Sequence, residues 1–166
     1  FTIGHSITLC LTVLGWISLD IMVVEALIGF TIALVDAENI AASTGSYRQI
    51  TLGAAALIGI MILLSLNQAT APALPILSLL GLLIFTLSYL PGIRSQAGSI
   101  ATRPALSLAF GLIHGFGFAA ILQEIGLPND QLWPALLGFN IGVELGQLMI
   151  LAAVYIVFKT LKTVVS

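Results

Sequence analysis

Apolar residues run along this chain in long stretches broken by short polar interruptions. Each stretch is long enough to cross a bilayer as a helix, about 17 to 25 residues. The pattern predicts six helices. The first runs from about Thr2 to Ser18. Asp20 follows at once and opens the second, which ends near Ile40. The Ser-, Thr- and Gly-rich segment Ala41–Gln49 reads as a loop. The third helix spans roughly Ile50–Leu66, with a turn at Asn67–Ala71. The fourth covers about Pro72–Leu90, with Pro75 in its first turn, where proline costs little. Pro91-Gly92 closes it, and Gly92–Arg103 reads as the longest loop. Pro104 opens the fifth helix, which ends near Gln123. After the polar turn Glu124–Gln131, the sixth runs from Leu132 to about Lys159.

Composition says which solvent these helices face. Only 7% of residues are charged and 59% are hydrophobic, with a mean hydropathy of +1.15. A water-soluble domain carries roughly 25% charged residues. So few polar groups cannot cover a globular surface in water, and lipid must solvate most of this chain. Residues 1–166 therefore read as one integral-membrane domain: an all-α, polytopic membrane helix bundle with six transmembrane helices. The single Cys10 excludes an intrachain disulfide and a Cys-rich metal site; it reads as a small packing residue. No basic patch is dense enough for nucleic acid. Association between copies of the chain stays open. The chain starts at Phe1 and goes straight into an apolar helix, without a signal-peptide charge pattern. It reads as an excerpt of a longer polypeptide.

The basic residues orient the bundle. There are five: Arg48, Arg94, Arg103, Lys159 and Lys162. Threading six spans back and forth puts all of them on the side of Phe1. The opposite turns hold Asp20, Glu124 and Asp130 and no basic residue. Lys/Arg excess marks the cytoplasmic face, so Phe1 and Ser166 are expected in the cytoplasm.

Ionisable side chains within a membrane cost about 2.5–3.5 kcal/mol each on insertion scales and are functional candidates by default. Counting about 1.5 Å per residue from the outer end of each helix gives their depths. Glu25 lies roughly 9 Å in, Asn140 about 12 Å, His114 about 14 Å, Glu144 about 18 Å and His5 about 20 Å. Glu38 lies near 28 Å, at the cytoplasmic boundary. Two histidines and a carboxylate from three helices thus share the middle. Asn140, Glu144 and Gln147, at i, i+4 and i+7, fall on one helix face. Bland readings stand beside these. A membrane His is often an interhelical hydrogen-bond donor, and Thr8 and Thr12 can bond their own backbone. Asp36, Glu38 and Asn39 fit a solvated helix end. Gly111 and Gly115, and Gly138, Gly142 and Gly146, recur every four residues. That spacing lets helices approach closely, and predicts contact between the fifth and sixth helices.

Five blocks carry a family resemblance. Phe1-Thr2-Ile3-Gly4-His5-Ser6-Ile7-Thr8-Leu9, Val24-Glu25-Ala26 and Ala37-Glu38-Asn39 resemble the start of the membrane domain in the HupE/UreJ family. Phe110-Gly111-Leu112-Ile113-His114-Gly115-Phe116-Gly117-Phe118-Ala119 and Phe139-Asn140-Ile141-Gly142-Val143-Glu144-Leu145-Gly146-Gln147 resemble its later blocks. The match covers about Phe1 to Leu151. It is nearest the branch with a large extracytoplasmic N-terminal region and a C-terminal membrane domain. The family is associated with hydrogenase and urease gene clusters and described as nickel or cobalt permeases. The resemblance implies a bacterial inner-membrane location. It also implies a further His/Asp-containing helix upstream, hence seven helices in the parent protein and an external N-terminus.

Three functions follow as expectations. The first is a permease whose substrate is Ni²⁺, Co²⁺ or another divalent metal. Imidazole suits nickel, and carboxylate offsets its charge. Glu25, then His114, His5 and Glu144, then Glu38 would form successive stations, with Asn39, Asn140 and Gln147 orienting them. Sparse ligands at several depths let an ion enter and leave. The second is an intramembrane metal-dependent hydrolase, since two His and a Glu can hold zinc with an open position; the HExxH spacing is missing. The third is a membrane anchor or sensor for an extracytoplasmic domain.

Overall fold

Six α-helices follow one another: α1 (Thr2–Val13), α2 (Ile21–Thr44), α3 (Tyr47–Leu66), α4 (Ile76–Gly92), α5 (Gln96–Ile125) and α6 (Leu132–Val165). The computed structural model describes residues 1–66, 74–93, 96–126 and 131–165, and no strand occurs among them. The turn Asn67–Ala71, Arg94 and Asp130 lie outside the described residues, as do the Glu124 side chain and most of its turn.

Local chemistry moves several expected helix ends. α1 stops at Val13, five residues short of Ser18, because Gly15 takes φ 74° and closes a Schellman turn. Trp16 N–H donates to Leu11 O and Gly15 N–H to Thr12 O, both at 2.9 Å. α2 starts where expected, its first turn capped by Asp20 Oδ1 accepting from Met22 N at 2.8 Å. It runs on to Thr44, into the expected loop. There the Ser43 and Thr44 hydroxyls donate to Ile40 O, and left-handed Gly45 ends the helix. The expected long loop Gly92–Arg103 is helical from Gln96, so Pro104 lies inside α5 rather than opening it. Neighbouring helices and local adjustments make such prolines tolerable in membrane helices.

The expectation of six spans does not hold. Among the described residues three helices are long and apolar enough to cross a membrane: Tyr47–Leu66, Thr102–Leu122 and Leu132–Thr163. α1 has 12 residues, about 18 Å of rise, and α4 has 17. α2 is long enough but carries Glu25, Asp36 and Glu38 and is not among the three. The apolar outer faces are those of a membrane protein; α6 exposes Leu145, Leu148, Met149, Ile150 and Leu151 in succession.

Packing centres on α1 and α5. Their contacts rise together in number, from Phe1 against Gly111 to Leu9 against Ala119, so the two run parallel. Gly4, Gly111 and Gly115 let the backbones touch. A Cβ on Gly111 would lie 2.8 Å from Phe1 C and 3.0 Å from His5 N. One on Gly4 would lie 3.0 Å from Leu112 N. Thr8 Oγ1 donates across this seam to Leu112 O at 2.8 Å. The α5 glycines thus receive α1, not α6 as their spacing suggested. Among the described residues, nothing lies within 4 Å of a Cβ placed on Gly138, Gly142 or Gly146, and no helix packs on them as a seam.

α2 runs antiparallel to α5, from Ile28 over Gly117 to Glu38 beside Arg103. α6 runs antiparallel to α1. One end of the bundle therefore gathers the end of α2, the end of α4 and the start of α5, around Leu34, Tyr89, Leu90 and Ile93. Arg48 follows directly after α2, and the α6 segment with Lys159 and Lys162 points the same way. The described basic residues share this end.

Candidate functional site

Two helix stripes face each other to make the site. On α2, Thr31, Val35 and Glu38 recur at i, i+4 and i+7. On α5, Arg103, Ser107, Phe110 and His114 recur with the same period. Between them lies an open groove of about 530 Å³, lined also by Asp36, Asn39, Tyr89 and the Phe1 ring. Glu38 and Arg103 sit at the basic end. His114 lies eleven residues further along α5, about 16 Å by helical rise.

At the mouth, both oxygens of Glu38 are engaged. Arg103 Nη2 donates to Oε1 at 3.2 Å and the Tyr89 hydroxyl donates to Oε2 at 2.9 Å. Asp36 and Asn39 are exposed beside them. At the inner end, His114 Nε2 lies 3.0 Å from Thr31 Oγ1. The Thr31 hydroxyl has one proton, and it donates that proton to Ile28 O at 2.8 Å. That leaves its oxygen able to accept from His114 in the tautomer with the proton on Nε2, which has its lone pair on Nδ1.

Behind the groove lies a second polar layer built on α1. The Phe1 ring touches both imidazoles, with centroids 5.4 Å from His114 and 5.9 Å from His5. His5 is 1% exposed and enclosed by Phe1, Phe118 and Phe139. Neither of its ring nitrogens has a hydrogen-bond partner among the described residues. That is unusual for a buried polar group. On the α6 side, Thr2 Oγ1 donates to Glu144 Oε1 and Ser6 Oγ donates to Asn140 Oδ1 at 2.6 Å. Asn140 Nδ2 donates back to Leu136 O at 2.8 Å. The i, i+4 pair Thr2/Ser6 meets the i, i+4 pair Asn140/Glu144 rung by rung.

The residues singled out from sequence thus divide. His114, Glu38 and Asn39 line the groove; His5 sits one aromatic ring away. Glu144 and Asn140 face α1 from α6. Glu25 and Gln147 are exposed and away from the groove. Among the described residues no three of His, Cys, Asp and Glu gather closely enough to hold a metal between them. Thr31, Tyr89, Thr2 and Ser6 are not among the residues that the sequence singles out, and Arg103 enters there only as an orienting charge. The matching i, i+4 pairs on α1 and α6 were the available signal for Thr2 and Ser6. The seven-residue spacing from Thr31 to Glu38 was the signal for Thr31. Tyr89 had none.

A family model described as HupE / UreJ protein matches the chain over residues 1–67 and 47–166. No curated protein and no solved structure matches it.

Proposed function

The chain belongs to the HupE/UreJ family, and from that premise we propose that it is a permease whose substrate is a divalent metal ion, Ni²⁺ or Co²⁺. Family membership suggests membrane metal transport. The observation that carries the reading is the groove joining a carboxylate at the basic end of the bundle to an imidazole about 10 Å further in, the helical rise from Glu38 to Thr31, which His114 meets. At about 30 Å³ per water, an ion with six waters takes on the order of 180 Å³. That fits within the groove, so the ion can enter hydrated.

Glu38 meets the ion at the mouth, where Asp36 and Asn39 add oxygen atoms. His114 offers Nδ1 at the inner end, its Nε2–H held by Thr31. Orienting a ligand histidine through its other nitrogen fixes the tautomer and raises ligand basicity. His5, buried with both nitrogens unpartnered, is the next station beyond the Phe1 ring. Glu144 follows toward α6, its carboxylate oriented by Thr2. Ligands spread over several levels hold the ion weakly at each, which transport requires. The same spread gives no support to a hydrolase, which needs three ligands around one zinc. The Lys/Arg excess at that end supports a cytoplasmic groove mouth, and family membership supports a bacterial inner membrane.

Cells expressing the full-length protein should accumulate radioactive nickel. Glu38→Gln and His114→Ala should each remove most of that accumulation at equal protein level. Accumulation equal to wild type in both variants would overturn the reading.

A further inference from the structure

Resting on the permease reading, we propose that Arg103 is a resident cation of the groove. Its guanidinium occupies Glu38 until an incoming divalent ion displaces it, and so sets the ion concentration at which the groove fills.

The two partners of Glu38 differ in a way that assigns them different roles. Tyr89 is 9% exposed and packed with Leu34, Leu90 and Ile93, so its hydroxyl is a fixed donor. It aims the carboxylate. The Arg103 side chain is 62% exposed, against 15% for Glu38, and among the described residues it meets Glu38 through one 3.2 Å contact rather than a bidentate clamp. Bidentate geometry is what makes arginine–carboxylate pairs strong. A single exposed contact is a weak one, and the guanidinium can swing outward without disturbing packing. A cation filling the mouth must take the Glu38 oxygen that Arg103 holds. The guanidinium is always charged, so this competition persists at every physiological pH.

The competition also favours divalent ions. Coulomb attraction to the carboxylate scales with ion charge. A monovalent ion must displace the same guanidinium for about half the attraction. Arg103 thereby raises the threshold for all cations and raises it most, relative to the gain, for K⁺ and Na⁺. Asp36 and Asn39 at the same mouth keep a divalent ion held once Arg103 has left.

Equilibrium binding of radioactive Ni²⁺ to the detergent-purified full-length protein tests this. Wild type is compared at low ionic strength with Arg103→Gln and Arg103→Met, two neutral replacements of an exposed residue, and with Arg103→Lys. The neutral variants should half-saturate at about two- to fivefold lower Ni²⁺, while Arg103→Lys stays near wild type. The gap should narrow at about 1 M salt, where charges a few ångströms apart at a surface are screened. In a Glu38→Gln background, Arg103→Gln should make no difference. If wild type binds Ni²⁺ and the neutral variants bind it equally or more weakly, the role of Arg103 is overturned and the permease reading stands. If no form binds Ni²⁺, both fall together.

Discussion

Gly111 is where one added methyl group should do the most harm. Its Cβ would lie 2.8 Å from Phe1 C and 3.0 Å from His5 N, and closer still to Phe1 O. Ordinary van der Waals contact begins near 3.4 Å, so α1 must withdraw by at least 0.6 Å, and all the opposing atoms are backbone. α1 cannot withdraw freely. Its other side carries Leu9 against Leu136, Thr2 against Glu144 and Ser6 against Asn140. Overpacking of this kind costs about 1–3 kcal/mol. At about 2–4 °C per kcal/mol for a chain of this size, Gly111→Ala should lower the apparent Tm of the detergent-purified protein by about 2–12 °C. Gly142 is the control, since nothing lies within 4 Å of its Cβ. Gly142→Ala should stay within about 0.5 kcal/mol of wild type. Fluorescence-monitored thermal unfolding reads both. A Gly111→Ala protein that melts with wild type, or a Gly142→Ala protein that melts as low as Gly111→Ala should, would refute the α1–α5 seam.

Ser6→Ala removes the donor to Asn140 Oδ1 and should cost about 0.6 kcal/mol, the average for interhelical hydrogen bonds in membranes, read in the same melts. Tyr89→Phe frees Glu38 Oε2, and the loss of one aiming hydrogen bond should raise half-saturation for Ni²⁺ about two- to tenfold. Acidification should weaken nickel binding, because the metal competes with protons for imidazole and carboxylate; binding that strengthens at low pH would count against histidine ligands. Reporter fusions after Arg48 and after Arg103 should read cytoplasmic and fusions within Glu124–Asp130 external, and the reverse pattern would invert the orientation.

The apolar runs made the helices legible, six of them and in the right order, because burial in lipid imposes long uninterrupted apolar stretches. The ends were less legible. Gly15 was available as a stop signal for α1, but an apolar run that continues through Trp16 and Ile17 hid it. Span count failed for a related reason: helices can share one bundle without each crossing the membrane, and α1 runs only from the level of Gly111 outward along α5. Phe1 lies eight residues along α5 from Arg103, about 12 Å deeper by helical rise. Glycine spacing correctly marked α5 as an interface but could not name the partner, since the stripe describes only one surface of a seam. Depth counting groups His5, His114 and Glu144 but cannot see which side of a helix each residue faces. That is why Glu144 emerged facing α1 and Glu38 facing the groove. The Glu38–Tyr89–Arg103 cluster joins three helices across long sequence separations, and no local spacing encodes it.

The decisive experiment is uptake of radioactive Ni²⁺ into liposomes holding the purified full-length protein. The comparison is between carboxylates inside and outside the groove. Wild type should take up Ni²⁺, Glu38→Gln and His114→Ala should lose most of that uptake, and Glu25→Gln should stay close to wild type, because Glu25 is exposed and lies off the groove. Loss in Glu25→Gln with full uptake in Glu38→Gln would contradict a route through the α2–α5 groove.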